Sequence, residues 1–168
     1  MYNPHPMNAV FSDRYDDLYL RRILREVKTI AMVGASANWN RPSYFAMKYL
    51  QSRGYKVYPV NPGAVGQHIL GEKIYGTLAD LPAKADMVDI FRNSEAAGPI
   101  ADEAIKHGAK VLWMQLGVVN EAAAERAEAA GLKVVMNRCP KIEHSRLSGS
   151  IEWHGIASGV ISAKKRAL

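Results

Sequence analysis

A single cysteine, Cys139, stands among the 168 residues, so no disulfide can form within the chain and a reducing compartment is the economical expectation. No apolar run approaches the length needed to cross a bilayer. The opening Met1-Tyr-Asn-Pro-His-Pro6 has neither the charged start nor the apolar core of a secretion signal. A cytoplasmic protein without membrane contact is expected. Metal chemistry lacks support as well, because His5, His68, His107, His144 and His154 show no ligand spacing and no partner carboxylate motif. Disorder is excluded by 48% apolar and 23% charged residues, and the length suits one domain with a core that needs no covalent staple.

Acidic residues are the scarcer charge, 16 against 22 Lys and Arg, which leaves a formal +6. The basic residues are dispersed, with dense clusters only at Arg21-Arg22-Ile-Leu-Arg25 and Lys164-Lys165-Arg166. The first closes a helix that opens with Asp13, Asp16 and Asp17, the polarity a helix dipole favours, so nucleic acid is not required. An anionic small molecule suits the surplus equally well.

Pro4 and Pro6 make residues 1–11 an extended arm. Ser12 is a good N-cap, and Leu20, Ile23, Leu24 and Val27 then give an apolar stripe at helical spacing to about Val27. Thr29-Ile-Ala-Met-Val-Gly-Ala-Ser36 is a short apolar run ending on Gly and small polar residues, followed near Pro42 by a second helical pattern with Phe45, Ala46, Tyr49 and Leu50 on one face. A strand feeding a helix N-terminus binds anions, since the first N–H groups of a helix lack intrahelical acceptors; a plain tight turn explains the same residues about as well.

One phrase recurs. Gly54-Tyr-Lys-Val, Gly108-Ala-Lys-Val and Gly131-Leu-Lys-Val each end a helical pattern and open an apolar run. With Met87-Val-Asp-Ile-Phe91 and the Thr29 run this makes five strands, starting near Thr29, Val57, Met87, Val111 and Val134. Helices alternate with them, one reading Ile100, Ala101, Ala104 and Ile105, another capped by Asn120 and ending at Gly131. Short uninterrupted apolar runs fit strands covered on both faces. The expected class is therefore α/β, a Rossmann-like doubly wound parallel sheet of about five strands with helices on both faces. Pro59 belongs where its missing N–H is not needed, and His68 to Tyr75 around Gly71 reads as a small hairpin. Beyond Cys139-Pro140 the pattern fades. The expected division is a domain over 1–147 and a tail over 148–168, weakly ordered or docked through Ile151, Trp153, Ile156 and Ile161.

In such sheets ligands lie beyond the carboxyl ends of the strands. Those ends read Gly34-Ala-Ser36, Asn61-Pro62-Gly63, Phe91-Arg92-Asn93 and Gln115-Leu-Gly117, a set with one Arg and no acid. NAD is disfavoured twice over: G-x-G-x-x-G is missing, and Asn61 stands where an acid should grip the ribose. NADP stays open through Arg41 or Arg53. Asp89 reads as a hydrogen-bonded structural acid, Cys139 as a small buried filler and Trp113 as core.

Together, Val-Gly-Ala-Ser36, Gly-Tyr-Lys-Val-Tyr-Pro-Val-Asn-Pro62, Val-Asp-Ile-Phe-Arg92, Trp-Met-Gln-Leu-Gly117 with Asn120-Glu121, and Asn-Arg-Cys139 resemble the small stand-alone CoA-binding proteins, a family similar to the N-terminal domain of the succinyl-CoA synthetase α subunit. The resemblance spans about Val27 to Leu147. It implies a Rossmann-like domain that holds coenzyme A, free or acylated, across the strand ends. Gly34, Ala35 and Ser36 would then give backbone and hydroxyl donors to phosphate, and Asn61 and Pro62 would border the adenosine. Phe91 and Arg92 would flank the nucleotide and pantetheine path, and Gln115, Leu116 and Gly117 would line the far side. Arg41 and Lys73 are added as counter-charges to phosphate. The synthetase-type Lys after the second strand's Pro is replaced by Gly63 and Ala64, so that charge must come from elsewhere.

The expected activity is non-catalytic binding of CoA or an acyl-CoA. The synthetase reaction uses a phosphorylated histidine on a second domain and a nucleotide-binding partner subunit, which these residues are not expected to supply. Two alternatives stand beside it. One is a small NADP- or CoA-dependent reductase or transferase, whose best acid or base would be His144 or Glu121. The other is a nucleotide-sensing regulatory module acting through its termini or a dimer face, with which a homodimer is compatible.

Overall fold

The computed structural model describes residues 14–149. The expected N-terminal arm, the Ser12 cap, the Lys164-Lys165-Arg166 cluster and all of the 148–168 tail beyond Gly149 lie outside the described residues.

Helix α1, Asp17–Glu26, is capped by Asp16, whose carboxylate accepts from the Tyr19 N–H at 2.7 Å. The helix therefore starts later than Ser12 implied. Strand β1, Thr29–Val33, leads through Gly34 to α2, Pro42–Ser52, and to β2, Lys56–Val60. Strands β3, His68–Ile69, and β4, Glu72–Lys73, form the small hairpin around Leu70 and Gly71, both at positive φ as its turn requires. Then come β5, Met87–Ile90; α3, Ala97–His107; β6, Val111–Met114; α4, Glu121–Ala129; and β7, Lys133–Val135. A fifth helix, α5, Pro140–Leu147, follows where the apolar pattern had faded; Pro140 opens it at a position where no N–H is needed.

The five long strands form one parallel sheet in the order β2-β1-β5-β6-β7. Helices α1, α2 and α5 cover one face and α3 and α4 the other, which is the expected Rossmann-like α/β architecture. Alternate residues of each strand serve the two layers: Ile30 and Met32 pack with Met47, Trp113 and Leu147, while Ala31 and Val33 pack with Val88, Leu112 and Ala101. Both faces being covered explains why the strands read as continuous apolar runs. Pro59 lies on β2, the sheet edge, and its carbonyl accepts from Tyr75 N at 2.9 Å. Among the described residues no helix is long and apolar enough to cross a membrane.

Strand order reverses between β1 and its two neighbours, β2 on one side and β5 on the other. Chain leaving β1 turns to one face and chain leaving β5 to the other, so the sheet opens a crevice above that junction.

Candidate functional site

The crevice is occupied by a cavity of about 870 Å³. Its wall combines Gly34 and Ser36 beyond β1, Arg41, Pro42, Ser43, Phe45 and Ala46 at the start of α2, Phe91 and Arg92 beyond β5, Gln115 and Leu116 beyond β6, and Cys139, Lys141 and Ile142 at the start of α5. Two helix N-termini thus face one space, and neither has a side-chain cap. Orphan N–H groups and the positive ends of both dipoles favour an anion there.

Of the residues expected from sequence, Gly34, Ser36, Arg41, Asn61, Phe91, Arg92, Gln115 and Leu116 meet at this cavity. Ala35, Pro62, Lys73 and Gly117 are not among its lining residues. Ala35 is buried, and its carbonyl accepts from Asn61 Nδ2 at 2.9 Å. Lys73 lies on the β4 hairpin, with its ammonium 5.8 Å from the Tyr75 ring centroid. Pro62 opens a 3₁₀ turn that Asn61 caps through Oδ1, which accepts from Gly63 N at 2.9 Å. Asn61 therefore engages protein groups with both ends of its amide. Phe45, expected on the core face of α2, is instead 47% exposed and forms cavity wall; Ser43 and Met47 take the buried positions.

Of the main-chain donors expected at the first loop, those of Gly34 and Ser36 have acceptors already. Gly34 N–H donates to Val60 O at 2.8 Å, and Ser36 N–H to the buried Ser43 hydroxyl at 3.1 Å. Toward the cavity the loop also offers the Ser36 hydroxyl proton, while its Oγ accepts from Asn38 N. The positive charge comes from side chains: Arg41, Arg92 and Lys141 line the cavity, and among the described residues no carboxylate or imidazole does. Lys141, together with Asn40, Ser43, Val118 and Ile142, was not anticipated. Only recognition of a helix opening at Pro140 would have brought Lys141 into view.

The floor is a buried polar pair. Gln115 Nε2 donates to both oxygens of the fully buried Asp89, at 2.9 and 3.1 Å. Burial pushes the Asp89 carboxyl up to about 8, with the Gln115 hydrogen bond acting in the opposite direction. The reading of Asp89 as a bonded structural acid fits this geometry. Burial also pushes the Cys139 thiol up, opposed by the N–H groups of Ile142 and Lys141, so the thiolate is scarce at neutral pH. The acid and base candidates of the enzyme alternative lie elsewhere: His144 Nδ1 pairs with the Tyr49 hydroxyl at 3.0 Å, and Glu121 pairs with Arg14 at 2.8 Å. Trp113 is core, with Nε1 donating to Arg138 O at 2.8 Å.

Comparison with known proteins agrees with the motifs. The model of the CoA binding domain matches residues 28–145. Protein YneT of Bacillus subtilis (strain 168) is 36% identical over 126 residues, which are 75% of this chain and 92% of that one. A solved hypothetical protein from Pyrococcus horikoshii OT3 is 41% identical, with a TM-score of 0.77, covering 89% of this chain and 100% of that one. The ADP-forming acetate–CoA ligase I subunit alpha of Pyrococcus furiosus is 33% identical over 89 residues, 51% of this chain but 19% of the ligase subunit.

Proposed function

This chain belongs to the family of CoA-binding domains, and on that premise we propose that its cavity holds coenzyme A or an acyl-CoA non-covalently, without a reaction of its own. The observation that carries the reading is a cavity at the sheet's switch point lined, among the described residues, by Arg41, Arg92 and Lys141 and by no acid. CoA carries a diphosphate and a ribose phosphate, and guanidinium and ammonium groups without competing carboxylates meet that charge with charge-assisted hydrogen bonds. On this reading Arg41, Arg92 and the Ser36 hydroxyl face phosphate, Asn61 shapes the adenosine border, Phe91 flanks the path, and Gln115 and Leu116 bound its far side. Lys141 takes the role of the missing lysine after Pro62. The ligase relative, whose name makes CoA a reactant, supports the same ligand class.

Binding without catalysis is favoured by what surrounds the ligand. A transferase or reductase step needs a positioned proton donor or acceptor, and among the described residues the cavity wall offers neither carboxylate nor imidazole. The Cys139 thiol, held protonated by burial, is a poor nucleophile. Calorimetric titration with CoA, acetyl-CoA, NAD and NADP side by side tests the assignment. Binding of CoA or acetyl-CoA with no heat from NAD or NADP is expected. Binding of NADP without CoA would overturn it.

A further inference from the structure

Gln115 is 5% exposed, and its Nε2 is committed to Asp89. Its Oε1 meets no donor among the described residues, yet no buried side-chain oxygen is left unpaired. The oxygen is therefore accessible, and since Gln115 is cavity wall, the cavity is where it opens. A side amide this deeply buried presents only one face, and here that face is an acceptor.

Asp89 sets which face it is. The acid lies between Met32 on β1 and Trp113 on β6 in register, on the α1, α2 and α5 side of the sheet. Gln115, two residues beyond Trp113, points to the same side, directly over it. Nε2 lies at 2.9 and 3.1 Å from the two Asp89 oxygens and donates to both, whereas Nε2 turned to the cavity would bring Oε1 against two oxygens of which at most one, and only in the neutral acid, carries a proton. The wall contributed by β6 and α5 holds Leu116, Val118, Cys139 and Ile142 with Gln115, and Lys141 is its one charged residue among the described residues. An acceptor in a largely apolar wall suits a chain that is mostly methylene with amide N–H groups at intervals, whereas a phosphate has only acceptor oxygens to set against it.

We infer that Gln115 Oε1 accepts a hydrogen bond from an amide N–H of the ligand's pantetheine arm, and that Asp89 is the positioning residue that keeps this oxygen turned into the cavity. This rests on the CoA reading above and assigns the arm, as distinct from the nucleotide, to the β6 side of the cavity.

The test compares CoA with its nucleotide half, adenosine 3′,5′-bisphosphate, on the wild type and on Gln115→Met and Asp89→Asn. Methionine keeps the volume without the acceptor. Asparagine replaces one of the two oxygens that accept from Nε2 with an amide donor and so releases the orientation. Each variant is expected to bind CoA about tenfold more weakly while its affinity for the nucleotide half stays unchanged. A stability loss alone would move both ligands together, and equal losses for both would overturn the inference, as would unchanged CoA affinity in either folded variant. Failure of the wild type to bind either ligand would instead overturn the CoA reading itself.

Discussion

Gly34 and Phe91 close on each other at the floor of the crevice: a Cβ on Gly34 would stand 2.5 Å from the Phe91 carbonyl oxygen and 2.9 Å from Arg92 Cδ. Gly34 also sits at φ +89°. Glycine is thus required twice, by the left-handed backbone and by the approach of the loop after β5. Gly54 shares the backbone value but has nothing within 4 Å of its imagined Cβ. Gly54→Ala is expected to lose about 1–2 kcal/mol from the backbone alone. Gly34→Ala should lose at least about 1 kcal/mol more, because the loops must part. Urea denaturation of the two variants measures the difference, and equal losses would show that the loops separate freely.

Arg92 is exposed, lines the cavity and has no carboxylate partner among the described residues. Arg92→Ala should weaken CoA binding about tenfold and leave the melting temperature nearly unchanged. Lys73, away from the cavity on its hairpin, provides the contrast: Lys73→Ala should leave CoA affinity as it was. Titration calorimetry and a thermal melt on each variant check both statements. A large melting shift in Arg92→Ala would mean that the residue holds the fold and not a ligand.

What was legible in the sequence was what local physics repeats. Gly54, Gly108 and Gly131 all take positive φ, and Lys56, Lys110 and Lys133 each donate a backbone N–H at the lower edge of the sheet. Their ammonium groups pair with Glu72, Asp86 and Glu26. The recurring phrase is a helix stop followed by a strand start, so it reports architecture. The site was legible in the same measure: residues directly after strands β1, β5 and β6 could be placed by counting. What lay hidden depends on tertiary partners. Ser43 Oγ takes the Ser36 amide, and Asn61 ties itself to Ala35 and Gly63, contacts that spacing alone does not reveal. Helix α5 escaped because its buried positions include Pro140 and Glu143, which break the apolar period.

Glu143 explains how α5 is held. It is 1% exposed, with Arg138 at 3.2 Å and Arg146 at 2.8 Å, and Arg146 continues to Asp17 on α1 at 2.7 Å. Removing one member of a buried ion pair leaves charge that water cannot reach. Glu143→Ala should therefore destabilise the chain by about 3–5 kcal/mol. The exposed pair Arg126 and Asp102, at 2.9 Å, is the control, and Asp102→Ala should lose no more than about 1 kcal/mol. Because α5 carries Cys139, Lys141 and Ile142 to the cavity, Glu143→Ala should also weaken CoA binding, as calorimetry below its unfolding midpoint would show.

The buried Asp89 makes stability depend on pH in a direction opposite to that of an ordinary salt-bridged acid. In the folded chain its carboxyl keeps a proton up to about pH 8, while in the unfolded chain it ionises near the usual value of about 3.9. Between those limits the folded state binds more protons than the unfolded one. The contribution is therefore greatest at low pH and falls as pH rises, by up to about 1.4 kcal/mol per unit. Asp17 and Asp86, both held below their ordinary values, act the other way, but only on acidification below about pH 4. The group is isolated by measuring urea stability of the wild type and of Asp89→Asn at pH 5, 6, 7 and 8. The wild type should lose stability relative to the variant at each step up in pH. A constant difference across the series would mean that Asp89 is ionised within the fold, and that Gln115 is held by a charge and not by a neutral acid.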